Sequence, residues 1–392
     1  MNAAYIVSAR RTPMGSFGGA LSSVSATDLG AHAVRAALEA AGVPVEAVDE
    51  VFLGNTVSAN LGQAPARQAA LAAGIADSVP CTTVNKVCSS GMKAVMFAAQ
   101  AVQLGHADVV VAGGFESMSN IPYYVPKARF GYKFGGGEFV DGLERDGLQD
   151  AYDRVAMGVS ADQTAAELGI TREDQDAYAV ESYRRAAAKT DAGRFAAEIA
   201  PVSIPQRRGG DLVVERDEEY AKVKFEKIPT LRPVFSKEGT VTAANASTIN
   251  DGASGLVVAS ERALQEYGLT PLARIAGYGD AAREPMRFPL APNLAAPVAL
   301  RRAGRSMGEV NVLEVNEAFA MVPLAFARGL DVDPAKINVN GGAVSLGHPL
   351  GMSGARIVGT LAHELKLGGH RCGLAAICNG GGGASALVLE SV

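Results

Sequence analysis

Ser90-Gly91-Met92-Lys93 opens a helical run that closes near Gly105, and Val109-Val110-Val111-Ala112-Gly113-Gly114 follows it as a short apolar strand. A brief apolar run bounded by glycine suits a strand covered on both faces, the kind found in parallel sheets under helices. The same pair of elements returns late in the chain. Ser353-Gly354-Ala355-Arg356 opens a helix closing near Gly368, and Leu374-Ala375-Ala376-Ile377-Cys378 follows as a strand. A second echo lies upstream of each. Ala37-Leu38-Glu39-Ala40-Ala41-Gly42 closes a helix capped by Thr27 or Asp28, ahead of the strand Asp49-Glu50-Val51-Phe52-Leu53-Gly54-Asn55. Ala299-Leu300-Arg301-Arg302-Ala303-Gly304 precedes Val312-Leu313-Glu314-Val315-Asn316 with the same spacing from glycine to strand. Two echoes in one order predict a duplicated α/β fold with helix-covered parallel sheets.

Between the halves the texture changes, from about Ser119 to Ala246. Tyr123-Tyr124-Val125-Pro126, Gly135-Gly136-Gly137 and Arg207-Arg208-Gly209-Gly210 read as loops and turns, with a helix expected from Arg172 to Ala192. Such an insertion is either surface decoration or a ligand-covering loop domain. The expected division is an N-terminal half 1–118, a loop domain 119–248 and a C-terminal half 249–392.

At 392 residues, 48% apolar and 20% charged, with 45 glycines, the chain suits two or three compact domains with many tight turns. A net charge of −5 gives no global attraction to nucleic acid or an anionic membrane, so an anionic ligand needs a local basic patch. No apolar stretch approaches the roughly 18 residues of a membrane span. The opening Met1-Asn2-Ala3-Ala4-Tyr5-Ile6-Val7-Ser8 reads as a first strand and leads to the expectation of a bacterial-type cytosolic protein. Four cysteines, Cys81, Cys88, Cys372 and Cys378, form neither a disulfide framework nor a CxxC zinc pair.

Val84-Asn85-Lys86-Val87-Cys88-Ser89-Ser90-Gly91 puts a cysteine where a strand ends and a helix begins. Free amides at a helix start carry partial positive charge and favour a thiolate, so Cys88 is a candidate nucleophile; a lone cysteine is otherwise ordinarily a buried small hydrophobe. Three further segments carry chemistry: Val315-Asn316-Glu317-Ala318-Phe319, Asn340-Gly341-Gly342-Ala343-Val344-Ser345-Leu346-Gly347-His348-Pro349, and Cys378-Asn379-Gly380-Gly381-Gly382-Gly383. The glycine run lacks the lysine and following helix of a phosphate loop and instead continues into the strand Ala386-Leu387-Val388-Leu389. Together these motifs resemble the thiolase family nearly end to end, and within it the potassium-activated mitochondrial type.

That resemblance implies a duplicated five-layer α-β-α-β-α fold with an inserted loop domain, and the reversible joining of two acetyl-CoA into acetoacetyl-CoA. It implies Cys88 as acyl carrier, His348 as its proton acceptor, and Cys378 as the base for the second substrate. Asn316 would hold a water beside His348 in an enolate hole, and the amides of Cys88 and Gly380 would form a second oxyanion hole. Glycine suits that second position because the backbone approaches the thioester closely and can require positive φ. The thiol and imidazole are expected to form an ion pair that raises the thiolate fraction.

For coenzyme A, the resemblance points to Lys222, Val223, Lys224 and Lys227 at the nucleotide end and Ser247 at the pantetheine. Leu148, Met157 and Phe235 would line the tunnel, with Tyr183, Ala318 and Phe319 nearby. Read alone, Ala221 to Lys227 is a solvated strand face. Backbone carbonyls of Ala243, Ala244 and Ala246, with Tyr183 and Val344, match the potassium loop of the mitochondrial type. Phe288-Pro289 matches its small acyl pocket. Ala156 departs from the family, which usually carries histidine before Met157. No prosthetic group is implied, and a homotetramer is. The rivals are a broader-range 3-ketoacyl-CoA thiolase using the same residues, and a non-catalytic acyl-CoA binding protein of the same fold. The second would be expected to lose one of the two cysteines.

Overall fold

The computed structural model describes residues 2–392. Its centre is a ten-stranded mixed sheet. In chain order the nine longer strands are β1 (Ala4–Arg11), β2 (Glu50–Gly54), β3 (Cys81–Val84), β4 (Val109–Ser117), β5 (Asn250–Ser260), β6 (Ala273–Ala282), β7 (Val312–Val315), β8 (Cys372–Asn379) and β9 (Gly383–Glu390). They run β7-β8-β9-β6-β1-β5-β4-β2-β3 across the sheet, and Gly15–Ser16 pairs with β5 as a short tenth strand. The packing helices are α1 (Ala26–Ala41), α2 (Pro65–Ala72), α3 (Ser90–Gln103), α4 (Met157–Glu167), α5 (Arg172–Asp191), α6 (Pro292–Ala303), α7 (Met321–Leu330) and α8 (Leu350–Gly368).

The sheet is parallel only where a helix crosses over, at β2 with β3 and β4 and at β7 with β8. The remaining pairs, including β8 with β9 and β4 with β5, are antiparallel, so the expected parallel sheets are mixed. The apolar run of such a strand reports burial on both faces, not direction.

Alternating side chains sort the core into three slabs. Val51, Leu53, Val109, Val111 and Val257 face α1 and α2. Val110, Ala112, Leu256, Ile377 and Leu387 face α3 and α8, which lie between the two halves of the sheet. Leu313, Val315, Leu374, Ala376 and Val388 face α6 and α7. Helix, sheet, helix pair, sheet and helix make five layers.

The repeat is visible in the caps and at the centre. α1 and α6 both end on a left-handed glycine, Gly42 at φ 69° and Gly304 at φ 67°. The start of α1 is capped by Ser25, whose hydroxyl accepts the Asp28 N–H at 3.1 Å, in place of the Thr27 or Asp28 cap expected. α3 and α8 cross where Gly91 meets Gly354. A Cβ on Gly91 would lie 2.7 Å from the Ala355 nitrogen, and one on Gly354 would strike the Met92 nitrogen.

Among the described residues, none of the ten strands comes from 119–248. That segment carries a hairpin of Tyr123–Tyr124 with Val140–Asp141, then α4 and α5, then a second hairpin of Val202–Ile204 with Leu212–Val214. The buried Arg11 ties it down, pairing with Glu198 and, at 2.6 Å, with Asp217. Tyr220–Lys222 and Phe225–Thr230 form short 3₁₀ turns in place of the alternating strand face read over Ala221 to Lys227.

Candidate active site

Cys88 sits two residues ahead of α3 and is half-buried. Val87 before it has φ 49°, a left-handed conformation that costs a β-branched residue on the order of 1–3 kcal/mol. Its carbonyl accepts from Thr56 Oγ1 at 3.1 Å and Ser90 Oγ at 2.6 Å, and its N–H donates to Asn85 Oδ1 at 3.0 Å. Three side chains therefore hold the bend that presents the thiol.

The amides of Cys88 and Gly380 both reach the Cys88 sulfur and favour its charged form, as expected of a helix start. Burial nevertheless wins and pushes the thiol up to about 12. Cys378, fully buried at the end of β8, is pushed well above the ordinary range by burial first and by its nearness to the Cys88 sulfur. Burial, with the Arg356 charge second, lowers His348 to about 3. Burial thus works against the expected thiolate–imidazolium pair and favours the neutral thiol and imidazole. Desolvation penalises both ions more than their partners stabilise them.

His348 is held by its backbone and ring. Its N–H donates to Asn250 Oδ1 at 3.0 Å, and Nδ1 lies 2.6 Å from Ser353 Oγ. The Ser353 hydroxyl has one hydrogen and gives it to the Pro349 carbonyl at 2.8 Å, so Nδ1 carries the ring proton. Nε2 is then an open lone pair, buried and without a protein partner. Asn316 is 1% exposed at the end of β7, alongside the strand carrying Cys378, and neither of its side-chain polar atoms has a protein partner. Buried amides are normally satisfied, so one with both ends free stands out as a binding group.

Gly380 does not have positive φ, and a Cβ there would make only ordinary contacts with Val87 and Met157 at 3.6 and 3.7 Å. The conformational demand expected at Gly380 falls on Gly381 and Gly382, at φ 82° and 87°. They turn the chain so that the Gly380 N–H faces the thiol.

A cavity of about 730 Å³ has His348 in its wall. His348 and Leu350 line it together with Leu148, Met157, Phe235, Ser247, Phe319 and Lys222, as do Ala156 and Ala243. Phe319 packs edge-on against Phe235, with ring centres 6.1 Å apart, and against Phe288 at 6.5 Å. Lys222 reaches Ser16 at the rim. Val223, Lys224 and Lys227 lie outside the cavity wall, with both lysines exposed, and Ala318 is buried behind Phe319. Tyr183 is buried with Val344, Ala179 and Ala320. Near that cluster, no donor among the described residues reaches the carbonyl oxygens of Ala243, Ala244 or Ala246. Free carbonyls turned from the backbone network suit a large hard cation.

Several further groups position the site. Glu317 accepts from Tyr178, Ser182, Asn338 and the Val344 N–H, joining α5 to the segment before His348. Asn250, Ser353 and Glu116 play similar parts. Only Ser353 carried a sequence signal, its place at a helix start five residues after His348.

Comparison with known proteins agrees with this geometry. The thiolase N-terminal domain matches residues 4–262 and the thiolase C-terminal domain residues 269–391. A probable acetyl-CoA acetyltransferase of Dictyostelium discoideum is 55% identical over all of this chain and 95% of its own length. The mitochondrial acetyl-CoA acetyltransferase of Mus musculus is 53% identical, over all of this chain and 92% of its own. Acat5 thiolase from Ascaris suum, solved with coenzyme A, superposes with a TM-score of 0.94 at 47% identity, covering both chains fully. The expectation of a cytosolic protein is overturned here, because the mouse relative and other mammalian ones are named mitochondrial. A first strand beginning at the first residues was no guide to compartment. Five layers, two cysteines meeting across the duplicated halves, and both domains matched over nearly the whole length establish that the chain belongs to the thiolase family.

Proposed function

We propose that this protein is an acetyl-CoA C-acetyltransferase that joins two acetyl-CoA into acetoacetyl-CoA and CoA, reversibly, through an acetyl group on Cys88. The observations that carry this reading are the meeting of the Cys88 thiol, the Gly380 amide and Cys378, and a largely apolar cavity lined by His348.

His348 Nε2 takes the Cys88 proton as sulfur attacks the acetyl carbonyl, and the N–H groups of Cys88 and Gly380 stabilise the tetrahedral oxyanion. The intermediate collapses to acetyl-Cys88. The departing CoA thiolate recovers the proton from the imidazolium, which returns His348 to its neutral state. A second acetyl-CoA then places its thioester oxygen by His348 and a water on Asn316, while Cys378, in the thiolate form that burial makes its minor state, removes a methyl proton. The carbanion attacks acetyl-Cys88, expelling the Cys88 thiolate, and the Cys378 proton is passed on to that sulfur. No net proton is gained or lost.

Ser247, Leu148, Met157, Phe235, Ala318 and Phe319 would hold the pantetheine, and Lys222, Val223, Lys224 and Lys227 the nucleotide end. The Phe235, Phe319 and Phe288 cluster favours short acyl groups over the broad-range rival. A potassium ion held by the carbonyls of Ala243, Ala244, Ala246 and Val344 and the phenol of Tyr183 would stiffen the cavity wall that carries Ser247. The working assembly is a homotetramer. Retention of both cysteines speaks against a purely binding protein.

CoA-dependent cleavage of acetoacetyl-CoA by wild type, Cys88→Ala and Cys378→Ala, with and without potassium, tests this. Both variants are expected to lose at least ~10³-fold in kcat. Cys378→Ala still releases one CoA per site from acetyl-CoA, and Cys88→Ala releases none. Turnover confined to longer 3-ketoacyl-CoA would favour the broad-range enzyme, and silence on every chain length would overturn the catalytic reading.

A further inference from the structure

Glu116 lies at the end of β4, fully buried, and its carboxylate accepts four hydrogen bonds. Asn55 Nδ2 donates to Oε1 at 2.9 Å, the Val57 N–H to Oε1 at 3.1 Å, the Thr56 N–H to Oε2 at 2.9 Å and the Gly351 N–H to Oε2 at 2.8 Å. All four are N–H donors, so the ionised carboxylate is the form this nest fits. The donors come from two places: the loop after β2 in the first half, and the first turn of α8 in the second.

Each place leads to one reacting group. Thr56 Oγ1 donates to the carbonyl of the strained Val87, and Asn85 Nδ2 donates to the Thr56 carbonyl at 2.9 Å, so the 55–57 loop holds the bend presenting Cys88. Gly351 is three residues beyond His348, in the turn where Ser353 grips the imidazole. Space is minimal there: a Cβ on Gly351 would lie 2.8 Å from the Asn55 Cα and 2.9 Å from Glu116 Oε2.

The duplication sharpens the point. With Ser90-Gly91 matching Ser353-Gly354, the counterpart of Cys88 in the second half is Gly351. The Cys88 N–H at one helix start is left for a substrate oxygen, whereas the Gly351 N–H at the other is filled by Glu116. Two similar helix starts thus become one reaction centre and one internal clamp.

We propose that Glu116 is a positioning residue for the acyl-transfer reaction, setting the Cys88 loop and the His348 turn in a single register across the two halves. This rests on the roles given above to Cys88 and His348. Losing the clamp lowers the frequency of correctly aligned thiol and imidazole, a cost that falls on the chemical step and not on coenzyme A binding.

The experiment compares wild type, Glu116→Gln, Thr56→Val and the double variant in acetoacetyl-CoA cleavage, with thermal melting as the check on folding. Glu116→Gln is expected to lower kcat tenfold or more with KM within twofold. Thr56→Val is expected to lower kcat about threefold, and the double variant to be no slower than Glu116→Gln, because both act along one linkage. Multiplying effects, a loss confined to KM, or wild-type kcat in a folded Glu116→Gln would overturn the proposal while leaving the acetyltransferase reading intact. If Glu116→Gln does not fold, Thr56→Val decides alone: wild-type kcat overturns the clamp. An inactive wild type overturns the reading of Cys88 and His348, and the clamp with it.

Discussion

Burial favours the neutral forms of both Cys88 and His348, which gives the protein a definite dependence on pH. His348 titrates near 3 when folded and near 6.5 when free, so between those values the unfolded chain binds a proton that the native protein refuses. Stability is then full above about pH 6.5 and is lost as pH falls toward 3. Cys88 works from the other side. Its thiol holds its proton to about 12 against an ordinary 9, so the unfolded chain loses a proton first and stability falls as pH rises above 9. Cys378 shifts in the same direction. Denaturant titrations between pH 3 and 7 should show an acid limb that is shallower in His348→Asn, by up to about 1.4 kcal/mol per pH unit. An unchanged limb would mean that His348 is not held neutral. The same neutrality explains why substrate must complete the site. Proton transfer from sulfur to Nε2 creates two buried ions, and it becomes feasible when the developing oxyanion draws on the Cys88 and Gly380 amides.

The elements that carry these residues meet at a crossing with no room for a side chain. Gly91→Ala puts a methyl group 2.7 Å from the Ala355 nitrogen and 2.8 Å from the Gly351 carbonyl oxygen, so backbone must move. The expected cost is about 1–3 kcal/mol, with kcat falling further because α3 starts two residues after Cys88 and α8 two residues after His348. Gly308→Ala, where a Cβ meets nothing within 4 Å and φ is not positive, is the control and should melt like wild type. Equal melting temperatures for the two variants would refute the crossing. This crossing also marks how far the sequence could be read. The paired Ser-Gly starts and the glycine ends at Gly42 and Gly304 were legible, because each records a local backbone requirement. Strand direction was not, because a doubly buried strand looks alike either way. Glu116, Glu317 and Asn250 stayed invisible for a related reason: a carboxylate or amide looks ordinary until the donors around it, distant in sequence, are brought together. The neutral state of Cys88 and His348 was misread from local cues, since burial depends on the whole cleft.

On the scale of the molecule, the least satisfied surface is the hairpin region at 121–141, which projects from the loop segment. Phe130, Phe134 and Phe139 are largely or wholly exposed there, with Tyr123 more than half exposed. Around them Arg129, Lys133 and Glu138 are also exposed, so the patch is apolar with a charged fringe, the composition of a contact surface. These aromatics make no contribution to the three core slabs. Burying three phenylalanine side chains per copy is worth several kcal/mol, at about 1.5–3 kcal/mol each. That is enough to join preformed units but adds nothing to the fold of one chain. For the homotetramer proposed above, replacing Phe130, Phe134 and Phe139 together with serine is therefore expected to lower the mass measured by sedimentation from four copies to two. The melting temperature of the chain and kcat at saturating acetoacetyl-CoA should stay close to wild type. A triple variant that remains a tetramer, or a wild type that sediments as a dimer, would remove the hairpin from the assembly and leave those exposed rings to another partner.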